Sequence, residues 1–479
     1  MSGTRTEQAQ PELRRVLGPG LLLLFIVGDI LGTGIYALVG DVAGEVGGAA
    51  WLPFLIAFLI ATVTAFSYLE LVTKYPQAAG AALYVHKAFG IQFVTFLVAF
   101  IVMCSGITSA STASRFFAAN LEVGLGQEWG RLGVAGVALL FMALLAMVNL
   151  RGVGESVRLN VLLTIVEISG LLLVIFVGLW AFTGGGADVD FTRVVAFETT
   201  TDKSVFLAVS AATSLAFFAM VGFEDSVNMA EETRDPVVIF PRALLTGLGI
   251  AGAVYVVVAI VAVALVPVGT LQASDVPLVE VVKAGAPGLP IEELLPWISM
   301  FAVSNTALIN MLMASRLIYG MARQRVLPPV LGSVHPRRRT PWVAIIFTTL
   351  IAFGLIFYVT AFADSTAIAV LGGTTSLLLL AVFAMVNVAV LVLRRDESRD
   401  PVVARRHFRT PTFLPVVGFV ASLYLVTPLS GRPAQQYLLS VVLIVIGVLL
   451  FGVTMAINRQ LGIPTRAVGD PAKMVLPPD

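Results

Sequence analysis

Four carboxylates stand inside apolar runs: Asp29, Glu167, Glu224 and Asp225. A carboxylate at the centre of a membrane-spanning helix costs roughly 2.5–3.5 kcal/mol on an insertion scale, so such groups mark ion, proton or substrate pathways. Burial disfavours the charged form, which suits a carboxyl to carrying a proton. Two of these acids sit beside glycines. The first stretch reads Val27-Gly28-Asp29-Ile30-Leu31-Gly32-Thr33-Gly34-Ile35 and the second Phe218-Ala219-Met220-Val221-Gly222-Phe223-Glu224-Asp225. Glycine weakens a helix by about 1 kcal/mol relative to alanine. A segment that only anchored would carry neither feature. Both stretches are expected to break at mid-membrane, where unpaired backbone is tolerated only if it lines a cavity.

A broken helix exposes its ends. The second half of the first segment would begin near Gly32, leaving the N–H groups of Thr33, Gly34 and Ile35 without intrahelical acceptors. The helix dipole adds about half a positive charge there, a place that suits a carboxylate. The first halves would end in free carbonyls near Val27, Gly28, Phe218 and Ala219, acceptors for an ammonium. Together these outline an α-amino acid. Close helix packing is the plainer use of such glycines.

The elements that must hold these groups follow from composition. Of 479 residues, 58% are hydrophobic and 12% charged, against about 25% charged in a typical soluble protein. An all-α polytopic membrane protein is expected, with about twelve transmembrane helices near 17–39, 49–73, 91–119, 132–149, 157–182, 205–229, 242–267, 294–320, 341–361, 366–393, 412–430 and 436–457. Residues 1–16 and 458–479 read as cytoplasmic tails, with no cleaved signal peptide. With the N-terminus inside, external segments hold only Arg115, Arg131, Arg193, Lys203, Lys283 and Arg432, while the remaining Lys and Arg fall inside. This is a strong positive-inside pattern. It implies the plasma membrane with both termini cytoplasmic. The stretch Ser274 to Pro290 reads either as a short interfacial helix or as a plain loop. Paired glycine-interrupted spans, one opening each half of the chain, point to a transporter with a midplane site.

Several classes lack support. His86, His335 and His407 cannot cluster with the single cysteine, Cys104, and no metal-ligand spacing, nucleophile motif or nucleotide loop is present. Neither an enzyme, a metal or cofactor site, nor a nucleic-acid partner is expected. A channel would show a ring of charge or a carbonyl filter, and none is visible.

The motifs around both interruptions resemble those of the amino acid–polyamine–organocation superfamily. Gly28, followed by Gly32-Thr33-Gly34-Ile35-Tyr36, resembles its first-span signature. Phe217 to Glu224, followed by Glu231-Glu232-Thr233-Arg234-Asp235-Pro236, resembles its sixth. Tyr68, Glu70-Leu71 and Tyr75-Pro76 resemble the end of the second span, and Ser315 to Arg323 the end of the eighth. The likeness covers about residues 20 to 345 and is less specific for substrate than for family. Gln77 to Ala82 departs from a denser Ser-Gly-Gly turn. The resemblance implies a five-plus-five inverted-repeat fold with helices 1 and 6 broken. The repeats would be 17–182 and 205–393, with 412–457 peripheral. It implies Phe218 as an aromatic lid and Glu224 as a proton-linked or gating group, with Asp225 beside it. Glu167 falls where proton-coupled relatives carry lysine, which puts their coupling scheme in question for this chain. A glutamate there could take the proton, pair with a bound cation, or be a satisfied structural group.

Ser105 and Thr108 on span 3, and Ser304 and Asn305 on span 8, are candidates to line the side-chain end of the site. Glu70, beside Lys74, with Glu231, Glu232, Arg234 and Arg242, suggests an inner gate of ion pairs. The reading is a secondary amino acid transporter, coupled to a proton or other cation or exchanging substrates. The alternative is an amine or polyamine carrier. The surplus of midplane carboxylate points to a cationic substrate or to proton coupling, which the residues do not separate.

Overall fold

A computed structural model describes residues 17–76, 80–151, 156–184, 187–198, 203–230, 233–288, 291–323, 326–338, 340–362, 367–397 and 407–461. The tails 1–16 and 462–479, Gln77 to Ala79, Glu231, Glu232, and the basic residues Arg325, Arg339, Arg399, Arg405 and Arg406 lie outside them. Sixteen α-helices follow one another: α1 Pro19–Ile30, α2 Thr33–Val46, α3 Trp51–Lys74, α4 Gly80–Phe89, α5 Gln92–Gly124, α6 Gly130–Arg151, α7 Ser156–Phe182, α8 Val205–Ala216, α9 Pro236–Leu265, α10 Val268–Ala273, α11 Pro277–Gly285, α12 Ile291–Arg323, α13 Trp342–Phe362, α14 Ala367–Glu397, α15 Phe413–Val426 and α16 Ala434–Gln460. Among the described residues, β pairing is limited to two isolated bridges.

Among the described residues, eleven helical segments are long and apolar enough to cross a membrane. The twelfth expected span, 412–430, is shorter: α15 has 14 residues. At 1.5 Å per residue that is about 21 Å, less than a bilayer core of about 30 Å. It stops because Thr427 turns extended and Pro428 starts a 3-10 turn. Between Ser274 and Pro290 the chain is helical over α11, with Leu278, Val281 and Val282 buried. The stretch after Pro76 holds α4, a short helix not expected from sequence, whose Tyr84 and Val85 are buried.

The first and sixth spans are both broken. α1 ends at Ile30, the Leu31 N–H closes on the Val27 carbonyl, and Gly32 leaves the helix at φ −45°, ψ −149° before α2 begins. α8 gives way to a 3-10 turn over Phe217–Met220, then an extended Val221. Gly222 takes φ +126°, a region that glycine enters far more readily than other residues. The rest of that span, Asp225–Met229, is again 3-10. The sixth span therefore has no second α-helical half among its described residues.

These two spans run antiparallel and are latched at both ends. Leu17 bridges Thr233, and the Arg234 N–H donates to the Leu17 carbonyl at 3.0 Å. At the opposite end Gly47 bridges Phe197, the Ala49 N–H donates to Ala196 at 3.2 Å, and the Trp51 indole donates to Val194 at 3.1 Å. α5, packed on α12 and α14, and α7, packed on α1 and α12, surround the breaks.

Candidate functional site

The two breaks meet. A side chain at Gly34 would collide with Ala219, reaching its Cβ at 2.6 Å, and one at Gly222 would reach the Asp29 carbonyl oxygen at 2.6 Å. Span 5 closes on the first break, since Gly28 lies against Thr164. Span 8 does the same, with the Thr306 hydroxyl 2.6 Å from where a Gly32 Cβ would stand. Each glycine is required by a close approach. The residues expected from both broken spans and span 5 thus converge on one locus.

Polar groups at this locus lack partners. Asp29 Oδ2, the Thr33 hydroxyl, the Thr164 hydroxyl, the Thr306 hydroxyl and both carboxyl oxygens of Glu167 are buried with no hydrogen-bond partner among the described residues. Glu167 is 0% exposed. Its own backbone carbonyl accepts from the Tyr36 hydroxyl at 2.8 Å, and the Tyr255 hydroxyl donates to the Ile30 carbonyl. No side chain caps the N-terminus of α2, so its first N–H groups keep their capacity to bind an anion. Ile35 is fully buried one residue further on. Buried polar groups are normally satisfied; these find no partner among the described residues.

Other expected residues are committed elsewhere. The Val27 carbonyl accepts from Leu31 at 2.9 Å and the Phe218 carbonyl from Val221 at 3.3 Å, so neither is the free acceptor anticipated. Ser105 donates to the Val102 carbonyl at 2.7 Å, and Ser304 to Met300 at 2.6 Å. Thr108 bonds to Cys104 and Ser105 of its own helix and meets Thr375 Oγ1 at 2.7 Å. In an apolar helix a hydroxyl turns to the carbonyl three or four residues back. Asn305 is buried on the same helix as Thr306. Phe218 packs by Gly372 of α14. Phe223 is fully buried, its ring 5.7 Å from Tyr68 and 5.2 Å from Phe383. Glu224 Oε2 accepts from the Gly222 N–H at 2.9 Å, which steadies the turn at the break. Asp225, half-buried, opens the 3-10 turn that follows.

Glu70 has a different partner from those anticipated. Arg394, at the end of α14, binds it in a fork, Nε to Oε1 at 2.7 Å and Nη2 to Oε2 at 2.5 Å, and the Thr410 N–H adds a bond at 2.7 Å. One turn towards the centre of α3, Ser67 donates to Asn387 Oδ1 at 2.6 Å. Spans 2 and 10 are thereby clamped together. Removing one partner of a buried pair costs about 3–5 kcal/mol. Arg394→Ala is expected to lower the thermal midpoint of the detergent-solubilised protein by several degrees; an unchanged midpoint would show that the clamp carries no stability.

Tyr36 enters the sequence reading only as part of the first-span motif, and Arg394 only as one of the inward-facing basic residues; Thr164, Thr306 and Tyr255 were not singled out in sequence. Thr164 could have been, because it stands one turn before Glu167 on a face shared with Gly170 and Leu171. Thr306 is next to Asn305.

Comparison with known proteins agrees with this architecture. The family model described as Amino acid permease matches residues 21–454. A methylthioribose transporter of Bacillus subtilis is 26% identical over 92% of this chain and 93% of its own length. A branched-chain amino acid permease of the same organism is 25% identical over 87% of each. The chloroplastic cationic amino acid transporter 9 of Arabidopsis thaliana is 28% identical over 68% of this chain and 58% of its own. The chain belongs to the amino acid permease family of the amino acid–polyamine–organocation superfamily, and is a multi-pass membrane transporter rather than an enzyme.

Proposed function

We propose that this protein is a secondary carrier of an α-amino acid, working by alternating access and coupled to protons through Glu167. The observation that carries the reading is the uncapped start of α2 lying directly against the second break, with Gly34 on Ala219 and Asp29 on Gly222. The N–H groups of Thr33, Gly34 and Ile35 take the carboxylate. Asp29, with an unpartnered oxygen at 5% exposure, takes the ammonium together with nearby carbonyls. Residues 17–182 and 205–393 form two inverted repeats that rock against each other, with 412–457 peripheral. The antiparallel latching of the two broken spans supports that division. The arginine-rich loops and both termini face the cytoplasm, and the bilayer is the plasma membrane.

Proton coupling is supported by the state of Glu167. A bare carboxylate without donors at that depth is costly, and a proton removes the charge. The relatives include a branched-chain amino acid permease and a cationic amino acid transporter, which supports an amino acid as substrate. The methylthioribose relative makes a substrate without an amino acid head the competing reading. Counterflow in proteoliposomes separates them. Saturable exchange of labelled amino acid against an excess of the same amino acid, undisturbed by methylthioribose, is expected. Linear, non-saturating flux, or competition by methylthioribose alone, would refute the proposal.

A further inference from the structure

We infer that Arg115 and Asp275 form a second, outer recognition subsite for the same zwitterion, the guanidinium binding its carboxylate and Asp275, with Asp41, its ammonium. The inference rests on the amino acid reading above and adds a second station to the route. Arg115 lies on α5 two turns beyond Thr108, about 10 Å along the axis, on the side opposite the arginine-rich loops. It is 8% exposed, and its Nε and Nη1 have no hydrogen-bond partner. A buried charge inside a span is normally paired or functional. The charged groups within electrostatic range of it are Asp275 and Glu122. Glu122 is partly engaged, since its Oε1 accepts from the Trp129 N–H at 2.6 Å. Asp275 is exposed on the loop between α10 and α11. Asp41 of α2 is within electrostatic range of Asp275 and Glu45, on a stretch where Gly40 and Gly44 lie against Leu271 and Gln272 just before Asp275. Glu45 is held by Lys203 at 2.7 Å. Asp41 and Asp275 make no hydrogen bond or ion pair with the described residues.

A planar guanidinium with free N–H groups matches a carboxylate in a fork. The two uncommitted aspartates supply acceptors for the amine. An arginine with unpartnered Nε and Nη1 near two aspartates that make no hydrogen bond or ion pair with the described residues offers opposite charge to both ends of a zwitterion. Phe116, next to Arg115 on α5, has its ring 6.5 Å from that of Tyr36 on α2, so the proposed outer station adjoins the helix whose start forms the inner one.

Equilibrium binding with the purified full-length protein in lipid nanodiscs tests this, using L-leucine and L-arginine as probes beside their amines, isopentylamine and agmatine. Two molecules of a transported amino acid per chain are expected at saturation. One is expected in Arg115→Gln, with uptake at low substrate reduced about tenfold, the loss of one charge-assisted fork. Arg115→Lys should recover part of the loss. Asp275→Asn, a change at an exposed position, should weaken the outer molecule alone. One molecule per chain in the wild type with unchanged uptake by Arg115→Gln would overturn the subsite while leaving the carrier reading intact. Equal loss at both stations, unrescued by lysine, would show a purely structural arginine and overturn it as well. Absence of any saturable binding by the wild type would instead remove the amino acid reading itself.

Discussion

Gly222→Ala is expected to abolish transport while leaving the protein folded and inserted. The residue adopts φ +126°, a conformation that an alanine reaches only with strain of about 1–3 kcal/mol. Its new Cβ would also lie 2.6 Å from the Asp29 carbonyl oxygen, 2.8 Å from the Asp29 carbonyl carbon and 3.1 Å from the Ile30 nitrogen. All three are backbone atoms of the other broken span, so no side chain can swing aside. The substitution must push the two breaks apart, displacing Asp29 and the start of α2 together. At about 1.4 kcal/mol per tenfold, that strain corresponds to about 5- to 150-fold, and with the forced separation added a loss on the order of 100-fold in uptake at limiting substrate is expected. Gly249→Ala is the control: nothing lies within 4 Å of its position, and alanine favours a helix by about 1 kcal/mol. Initial-rate uptake in proteoliposomes, normalised to inserted protein, distinguishes the two. Near-normal uptake by Gly222→Ala would mean that the contact between the breaks plays no part in transport.

Glu167→Gln is expected to uncouple the carrier rather than stop it. Glutamine keeps the side chain's shape and polarity but cannot exchange a proton. A pH difference of one unit is worth about 1.4 kcal/mol per proton, or tenfold accumulation. The variant should lose that accumulation and equilibrate substrate to the level without a gradient, while counterflow at symmetric pH persists. Its surroundings favour this outcome. The Tyr36 hydroxyl is engaged with the Glu167 backbone at 2.8 Å, and both carboxyl oxygens are free of partners, so no structural bond is cut by the exchange. Undiminished accumulation in vesicles with an imposed pH gradient would take Glu167 out of the coupling step. Loss of counterflow as well would make it a substrate or packing residue.

What could be read from the chain, and what could not, divides along physical lines. Gly32 and Gly222 announce themselves because glycine and acid inside an apolar run have no use in a plain span, and both positions leave the α-helix. The shape of the second break was hidden. Its tight turns from Phe217 onward depend on a positive φ and on a Glu224 side chain folding back to Gly222, which hydropathy does not encode. The hydroxyls of Ser105, Thr108 and Ser304, polar residues in spans, donate to carbonyls of their own helices, a local bond that residue type alone does not reveal. Glu70 found its partner 324 positions away, so an ion pair drawn from neighbours such as Lys74 was bound to miss it. α4 escaped notice because a ten-residue helix between two spans is too short to show a span's hydropathy.

In the proposed site the backbone N–H groups at the start of α2 take the carboxylate of an amino acid, and Asp29 with nearby carbonyls takes its ammonium. The most direct test of this arrangement is titration calorimetry on the purified protein with a transported amino acid, its methyl ester and its decarboxylated amine. The account predicts binding by the free amino acid and at least about thirtyfold weaker binding by each analogue, as expected when a charged hydrogen-bonding group loses its partner. Equal affinity for the amino acid and its amine would contradict it, because the uncapped start of α2 would then contribute nothing to recognition.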